Sequence, residues 1–365
     1  MKKIPVLLSV LILLSSITSC SKLNNIDMPS SEDPSSSLSS TVVSNYSSSE
    51  IPDIDPATIN PLTGLADYNK DIKIKRPVCI MISNSARALP QCGINSADII
   101  FETLAEGGIT RLMGVYSDVD KIPDVGPIRS SRQYYVKLSR GLDAIFMHWG
   151  GSVYAYDNLN QGNISNVDGN KYEGVYYWRD PVRRANNGYE HSGFTSGEKI
   201  KQSISDLKFN TEPQDKYYNM FNFYLPDEII TPTGGSCKKL YVPFSNYYDG
   251  TYDYHEATRL YKKSQNGEIQ VDGNTNVQAS VTNILVLYAP VKRMSPENDY
   301  IDVDLTGGSG IYVSNGAYQE ISWEKGNQED PLKVKAKDGS ELKLNAGKSW
   351  VNIFPIDRKD MVTTE

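Results

Sequence analysis

Two arginines three residues apart, Arg129 and Arg132 in Gly126-Pro127-Ile128-Arg129-Ser130-Ser131-Arg132, precede a run with helical apolar spacing. At the start of a helix such a pair faces one side, beside free backbone N–H groups and the positive end of the macrodipole, which suits an anion. Arg111, on an apolar β-like run, joins them if that run lies next to the helix, and planar guanidinium groups bind phosphate or carboxylate bidentately. The competing reading is architectural, with each arginine paired to a carboxylate such as Glu102 or Glu106. Glu102 shares its strand face with Ile100 and Leu104, so its carboxyl is expected to be buried, either as a general acid/base or metal ligand or as the ion-pair partner of Arg111. Glu106 sits at the adjoining Gly-Gly turn. His148 ends a strand just before Gly150-Gly151, where α/β folds place ligand-facing groups. His191 follows the polar loop Trp178-Arg179-Asp180-Pro181-Val182-Arg183-Arg184, which reads as a binding loop through Arg179, Asp180 and Arg183. Each histidine has a structural alternative as a hydrogen-bonded imidazole.

The elements that must position these groups are legible in outline. Val78–Ile82 reads as a buried strand, and Ala97–Leu104 and Ile109–Tyr116, joined by Glu106-Gly107-Gly108, as a hairpin. A helix is expected over Gln133–Leu142 with Ser130 or Ser131 as N-cap, then a strand over Ala144–Trp149 and a helix over Val153–Leu159. Thr195-x-x-Glu198 resembles a capping box opening a helix that reaches Leu207. Beyond Lys216 short apolar runs alternate with Asn266-Gly267, Asp272-Gly273, Asn315-Gly316 and Asp338-Gly339, all read as hairpin turns. The expected fold is α+β: an N-terminal α/β domain with a mixed sheet over 60–215, followed by a smaller, mostly-β C-terminal domain over 216–365.

Lys2-Lys3, the apolar Ile4–Leu14 and Ser15–Ser19 form an export signal over 1–19, too short at roughly 11 apolar residues to span a bilayer. Ile17-Thr18-Ser19-Cys20 resembles a lipobox, in which Cys20 becomes the diacylated N-terminus and two acyl chains hold the protein on the membrane. The Ser-rich stretch that follows, up to residue 59, is predicted to be a flexible tether. These features place the protein on the bacterial cell membrane, lipid-anchored and facing the extracellular, cell-wall side. The partners in reach there are wall polymers, lipid-linked precursors and envelope proteins. With 37 Lys+Arg against 44 Asp+Glu and a formal charge of −7, non-specific nucleic-acid binding is excluded.

Three cysteines remain besides Cys20. Cys79 reads as a buried thiol, with a Cys79–Cys92 disulfide as the alternative. There is no Cys-x-x-Cys, His pair, Gly-x-Ser-x-Gly, P-loop, His-Glu-x-x-His or Gly-x-Gly-x-x-Gly, so neither a zinc site nor those routes to hydrolysis are indicated.

Asn60-Pro61-Leu62-Thr63-Gly64-Leu65, Glu102-x-x-x-Glu106-Gly107-Gly108-Ile109-Thr110-Arg111, Gly126-Pro127-Ile128-Arg129-Ser130-x-Arg132 and His148-x-Gly150-Gly151-Ser152, followed by Trp323-x-Lys325 and Leu344-Asn345-x-Gly347-x-x-Trp350, resemble the DUF3048 family of bacterial lipoproteins, the YerB-like proteins. The resemblance covers nearly all of 60–354 and implies a two-domain surface lipoprotein of unknown function, without assigned catalytic residues. Cys92 stands where the family pattern suggests a small, Ser-like residue. Two functions are expected from the residues. The first is capture of an anionic envelope ligand by Arg111, Arg129 and Arg132, without a cofactor. The second is an enzyme on an anionic envelope substrate. One form of it is loosely similar to LytR-CpsA-Psr phosphotransferases, with Glu102 or Asp98 on a Mg²⁺; another is a peptidoglycan-acting enzyme in which the loop around Arg179, Asp180 and His191 joins a Glu102/His148 acid–base pair.

Overall fold

The computed structural model describes residues 54–162, 164–214, 220–295, 297 and 299–365. The export signal, Cys20, most of the tether and the residue-215 boundary lie outside them.

In the first segment Val78–Ser83 (β1), Ile99–Leu104 (β2), Thr110–Tyr116 (β3), Ile145–His148 (β4) and Asn166–Asp168 (β5) form one end of a large sheet. The helices are Gln133–Arg140 (α1), Val153–Asn160 (α2), Gly169–Tyr172 (α3), Pro181–Asn186 (α4) and Gly197–Asp206 (α5). The second segment is almost wholly strand: Lys239–Val242 (β6), Gly250–His255 (β7), Leu260–Gln265 (β8), Asn283–Ala289 (β9), Gly307–Ser314 (β10), Ala317–Lys325 (β11), Leu332–Ala336 (β12) and Ser349–Pro355 (β13). This is the expected α+β class.

The sheet runs β12-β11-β10-β9-β13-β2-β3-β1-β4-β5, with Gly235–Ser236 added beside β11. It is mixed: β9–β13, β13–β2, β1–β4 and β4–β5 are parallel and the other neighbours antiparallel. The joint between the two segments is the β2–β13 pair, Ile99 opposite Ser349 through Thr103 opposite Ile353. The main sheet thus draws its strands from both segments. Their central strands are buried on both faces and read as unbroken apolar runs. One face carries Ile80, Ile100, Leu112 and Trp350, packed with Ile200 of α5 and Leu240, Tyr252 and Tyr261 of a second sheet. The other carries Met81, Phe101, Met113 and Val351, packed with Tyr134 and Tyr135 of α1 and Leu159 of α2. The second sheet is built on β8-β7-β6, and Thr363–Thr364 returns to pair with β6.

Local expectations shift in instructive ways. Helix α1 opens with Arg132 in the N-cap position, not Ser130 or Ser131, because extended backbone continues through Ser131, which bridges to Gly151. The cap of α5 is Ser196, whose hydroxyl accepts from the Lys199 N–H at 3.4 Å, one residue past the expected Thr195. Asn266-Gly267 and Asn315-Gly316 do adopt the paired left-handed conformations of a two-residue hairpin. Asp272-Gly273 does not: it opens a wider loop between the bridged Val271 and Gln278.

Candidate anion-binding site

The register of β3 decides which side chains can meet. Arg111 stands opposite Ser83 on β1 and Thr103 on β2. Opposed residues share a face and successive residues alternate, so Arg111 lies on the α1 side of the sheet while Glu102 points to the other side. The expected Glu102–Arg111 ion pair is therefore not formed. Glu102 accepts from Asn84 Nδ2 (3.1 Å), Thr110 Oγ1 (2.8 Å) and Trp350 Nε1 (2.9 Å), with Lys263 Nζ 3.6 Å away. Lys263 is itself buried over Tyr252 and Trp350, and burial, opposed by Glu102, lowers its pKa. Nothing in the sequence near Glu102 signals Lys263 and Trp350, which come from β8 and β13.

Arg111 is 4% exposed. Its guanidinium donates to the Ser130 carbonyl (Nη1, 2.8 Å) and, among the described residues, has no carboxylate within ion-pair distance. Burial, reinforced by the positive charge of Arg132 and of Arg129 and opposed by Tyr134 and Glu106, pushes its pKa down to about 10. Arg132 is closed off. Glu106 takes its Nε and its Nη2, the latter at 2.6 Å, while Nη1 donates to the Ser131 carbonyl at 2.6 Å. Burial resists both charges, yet the mutual hydrogen bonds prevail, raising the Arg132 pKa and lowering that of Glu106. Arg129 is the accessible member, its side chain 24% exposed and held at 3.0 Å by Glu190, whose own side chain is 69% exposed. Hydrogen bonding to Arg129 lowers the Glu190 pKa. Since residues 129–131 precede α1, the two arginines do not share a helical face. The structure gathers Arg111 and Arg129 around Ser130, with Arg132 locked behind them.

His191 joins this group. Its Nδ1 is 3.4 Å from Ser85 Oγ, and Ser85 Oγ is 3.2 Å from Ser83 Oγ. Burial, and next the Arg129 charge, lower the His191 pKa below its ordinary 6.5. The neighbouring loop is a strut for His191 and Glu190. Arg179 is sandwiched 3.7 Å from the Trp149 ring and 3.8 Å from that of Tyr189, and donates to Glu173 (3.1 Å) and the Tyr189 carbonyl (2.8 Å). Asp180 caps α4, accepting from the Arg183 N–H at 2.7 Å. The Arg183 guanidinium clamps the Ala88 carbonyl (3.0 Å) and the Pro90 carbonyl, fastening α4 to the chain that follows Ser85.

His148 is away from this chemistry. Fully buried, it has Nδ1 at 2.8 Å from the Gly150 carbonyl, which holds the Gly150-Gly151 turn, and Nε2 at 3.3 Å from Asn166 Oδ1 on β5. A Glu102/His148 acid–base pair is ruled out by these separate surroundings. Asp98, at the far end of β2, accepts from Asn60 Nδ2 (3.2 Å) and the Ser117 N–H (2.7 Å). Neither Asp98 nor Glu102 faces the arginines, so these residues do not fit a Mg²⁺ beside them, and the described residues contain no group of three or more potential metal ligands. Cys79, Cys92 and Cys237 are buried free thiols, so the Cys79–Cys92 bond is not formed. Sequence reasoning missed Ser83, Ser85, Glu190 and Lys263. Ser83 and Ser85 do sit at the carboxyl end of a strand, the same signal that singled out His148.

The model of the DUF3048 N-terminal domain, a protein of unknown function, matches residues 62–210, and that of the DUF3048 C-terminal domain matches 240–351. YerB of Bacillus subtilis (strain 168), a protein named provisionally as a lipoprotein, is 31% identical over 317 residues, covering 84% of this chain and 88% of its own. This chain belongs to the DUF3048 family. A crystal structure of YerB superposes with a TM-score of 0.71 at 29% identity, covering 84% of this chain and 99% of that one. The two family segments meet in the DUF3048 sheet at β2 and β13.

Proposed function

We propose that this DUF3048 protein binds an anionic group, phosphate or carboxylate, at Arg111 and Arg129, as a lipoprotein held through Cys20 outside the cell membrane. The observation that carries the reading is Arg111: a guanidinium 4% exposed, with one side-chain hydrogen bond and, among the described residues, no carboxylate within ion-pair distance, its nearby Glu106 being hydrogen-bonded to Arg132 instead. A buried charge of this kind is costly, and an anion is what would offset it. Arg132 and Glu106 are hydrogen-bonded to one another, and the exposed Glu190 is the occupant an incoming anion would displace from Arg129. The lipoprotein name of YerB supports the Cys20 anchor, and the export signal with its tether supports an outward-facing site. The ligand would come from a wall polymer, a lipid-linked precursor or an envelope protein, and no cofactor is needed to hold it.

The test is thermal unfolding of the full-length protein against sulfate or phosphate. The melting temperature should rise with ligand by mass action and should not rise in Arg111→Met. Unchanged melting up to high millimolar sulfate refutes the reading. Labelling of cells with a palmitate analogue, lost in Cys20→Ala, tests the anchor.

A further inference from the structure

Strand β1 ends at Ser83, and its parallel neighbour β4 ends at His148; ligand-facing groups belong beyond such carboxyl ends. Just past β1, Ser85 holds the N-cap position of a short 3-10 turn, yet its hydroxyl caps nothing. It lies instead between Ser83 Oγ, 3.2 Å away, and His191 Nδ1, 3.4 Å away. Both Ser85 and His191 are partly exposed, so solvent and ligand reach them. The separation is that of a nucleophile–base pair in a ligand-free site, where such contacts are commonly loose.

The surroundings suit that role. A general base must be neutral at working pH, and burial together with Arg129 keeps His191 so, with Arg87 adding to the effect and Glu190 opposing it. The ring is presented by the Arg179 sandwich, while the Arg183 clamp on Ala88 and Pro90 fixes the chain that carries Ser85. Arg111, without a carboxylate in ion-pair distance among the described residues, stands opposite Ser83 in the sheet register. No Gly-x-Ser-x-Gly motif marks this serine, because it follows its strand into a 3-10 turn instead of an elbow to a helix.

We infer that Ser85 and His191 form a nucleophile–base pair for acyl transfer from an ester whose acyl group carries a second, anionic group held by Arg129 and Arg111. The inference rests on the anion site proposed above and adds a reaction to it. Ser85 Oγ attacks the ester carbonyl carbon; the Oγ–C bond forms as His191 Nδ1 takes the hydroxyl proton. The C–O bond to the leaving alcohol then breaks and His191 returns that proton to the alcohol oxygen. Water adds to the acyl-enzyme carbonyl, giving a proton to His191, and the acid leaves as Ser85 recovers its proton. No oxidation, metal or further reactant enters.

The test uses the full-length protein with an alkyl fluorophosphonate and with 4-nitrophenyl hydrogen succinate. The expected result is one covalent adduct on the Ser85 peptide, absent in Ser85→Ala and formed about 10²- to 10⁴-fold more slowly in His191→Gln. The anionic succinate ester should be turned over about 10- to 100-fold faster than neutral 4-nitrophenyl acetate, the scale of one charged hydrogen bond. Ser85→Ala should keep its sulfate-dependent rise in melting temperature. Wild-type protein that responds to sulfate but forms no adduct, or that reacts equally well as His191→Gln, overturns the pair and leaves the anion site standing. An adduct at Ser85 without any sulfate response supports the pair and removes the anion site.

Discussion

Replacing Arg111 with Met separates a ligand-binding arginine from an architectural one. The guanidinium is buried, its partner is a single carbonyl, and two like charges lie nearby. Removing it relieves a desolvation penalty on the order of several kcal/mol, while the stranded Ser130 carbonyl costs about 1–3 kcal/mol. Methionine fills similar length without a charge. The ligand-free protein should therefore gain about 1–2 kcal/mol, a rise in melting temperature of roughly 2–8 °C at about 2–4 °C per kcal/mol, and lose its response to sulfate. Arg132→Met is the internal contrast, since it leaves Glu106 buried without its fork and should lose about 3–5 kcal/mol. Differential scanning calorimetry of the three full-length proteins, with and without sulfate, reads both effects. If Arg111→Met falls by as much as Arg132→Met, or still responds to sulfate, Arg111 is part of the scaffold and the reasoning fails.

Other perturbations follow from the same geometry. Glu102→Ala strands Lys263 in an apolar surround and should cost about 3–5 kcal/mol in urea unfolding, yet leave sulfate affinity unchanged because Glu102 is on the opposite face from Arg111. Glu190→Gln frees Arg129 from an exposed ion pair worth no more than about 1 kcal/mol, so sulfate should bind up to about fivefold more tightly by calorimetric titration. The folded His191 pKa lies below 6.5, so the unfolded chain takes up this proton first, and its contribution to stability is lost as pH falls from 6.5 through the folded value. As pH falls below 6.5 the imidazolium should strengthen sulfate binding and suppress fluorophosphonate labelling of Ser85, with both trends flat in His191→Gln.

The fold was readable where the information is local. The β2–β3 hairpin, α1, α2 and the Asn-Gly turns follow from periodicity and turn chemistry, and they stand within a few residues of their expected positions. Arg111 was expected beside Arg129 only if the hairpin lay next to the helix start, an adjacency set by the β1–β3 pairing and the Ile82–Ile128 bridge. What was not readable is everything set by distant pairing. Thr103 meets Ile353 across the β2–β13 joint, and Glu102 finds Trp350 and Lys263, contacts that no window of the sequence contains. The strand alternation that puts Glu102 and Arg111 on opposite faces was present in the sequence, but its meaning depended on a register known only once β2 and β3 were paired. The polar loop after Trp178 looked like a binding loop because stacking arginines and ligand-binding arginines have the same composition.

The β2–β13 joint also fixes the order in which the molecule can be completed. Strand β2 emerges early, but its hydrogen-bonding edge stays unpaired until residues 349–355 arrive. A chain that emerges N-terminus first would thus wait for nearly its entire length before closing its central sheet, with a long, apolar edge open to mispairing. A product truncated just before Ser349 would keep every arginine of the anion site yet present that edge permanently, and its fate would be aggregation rather than loss of one domain.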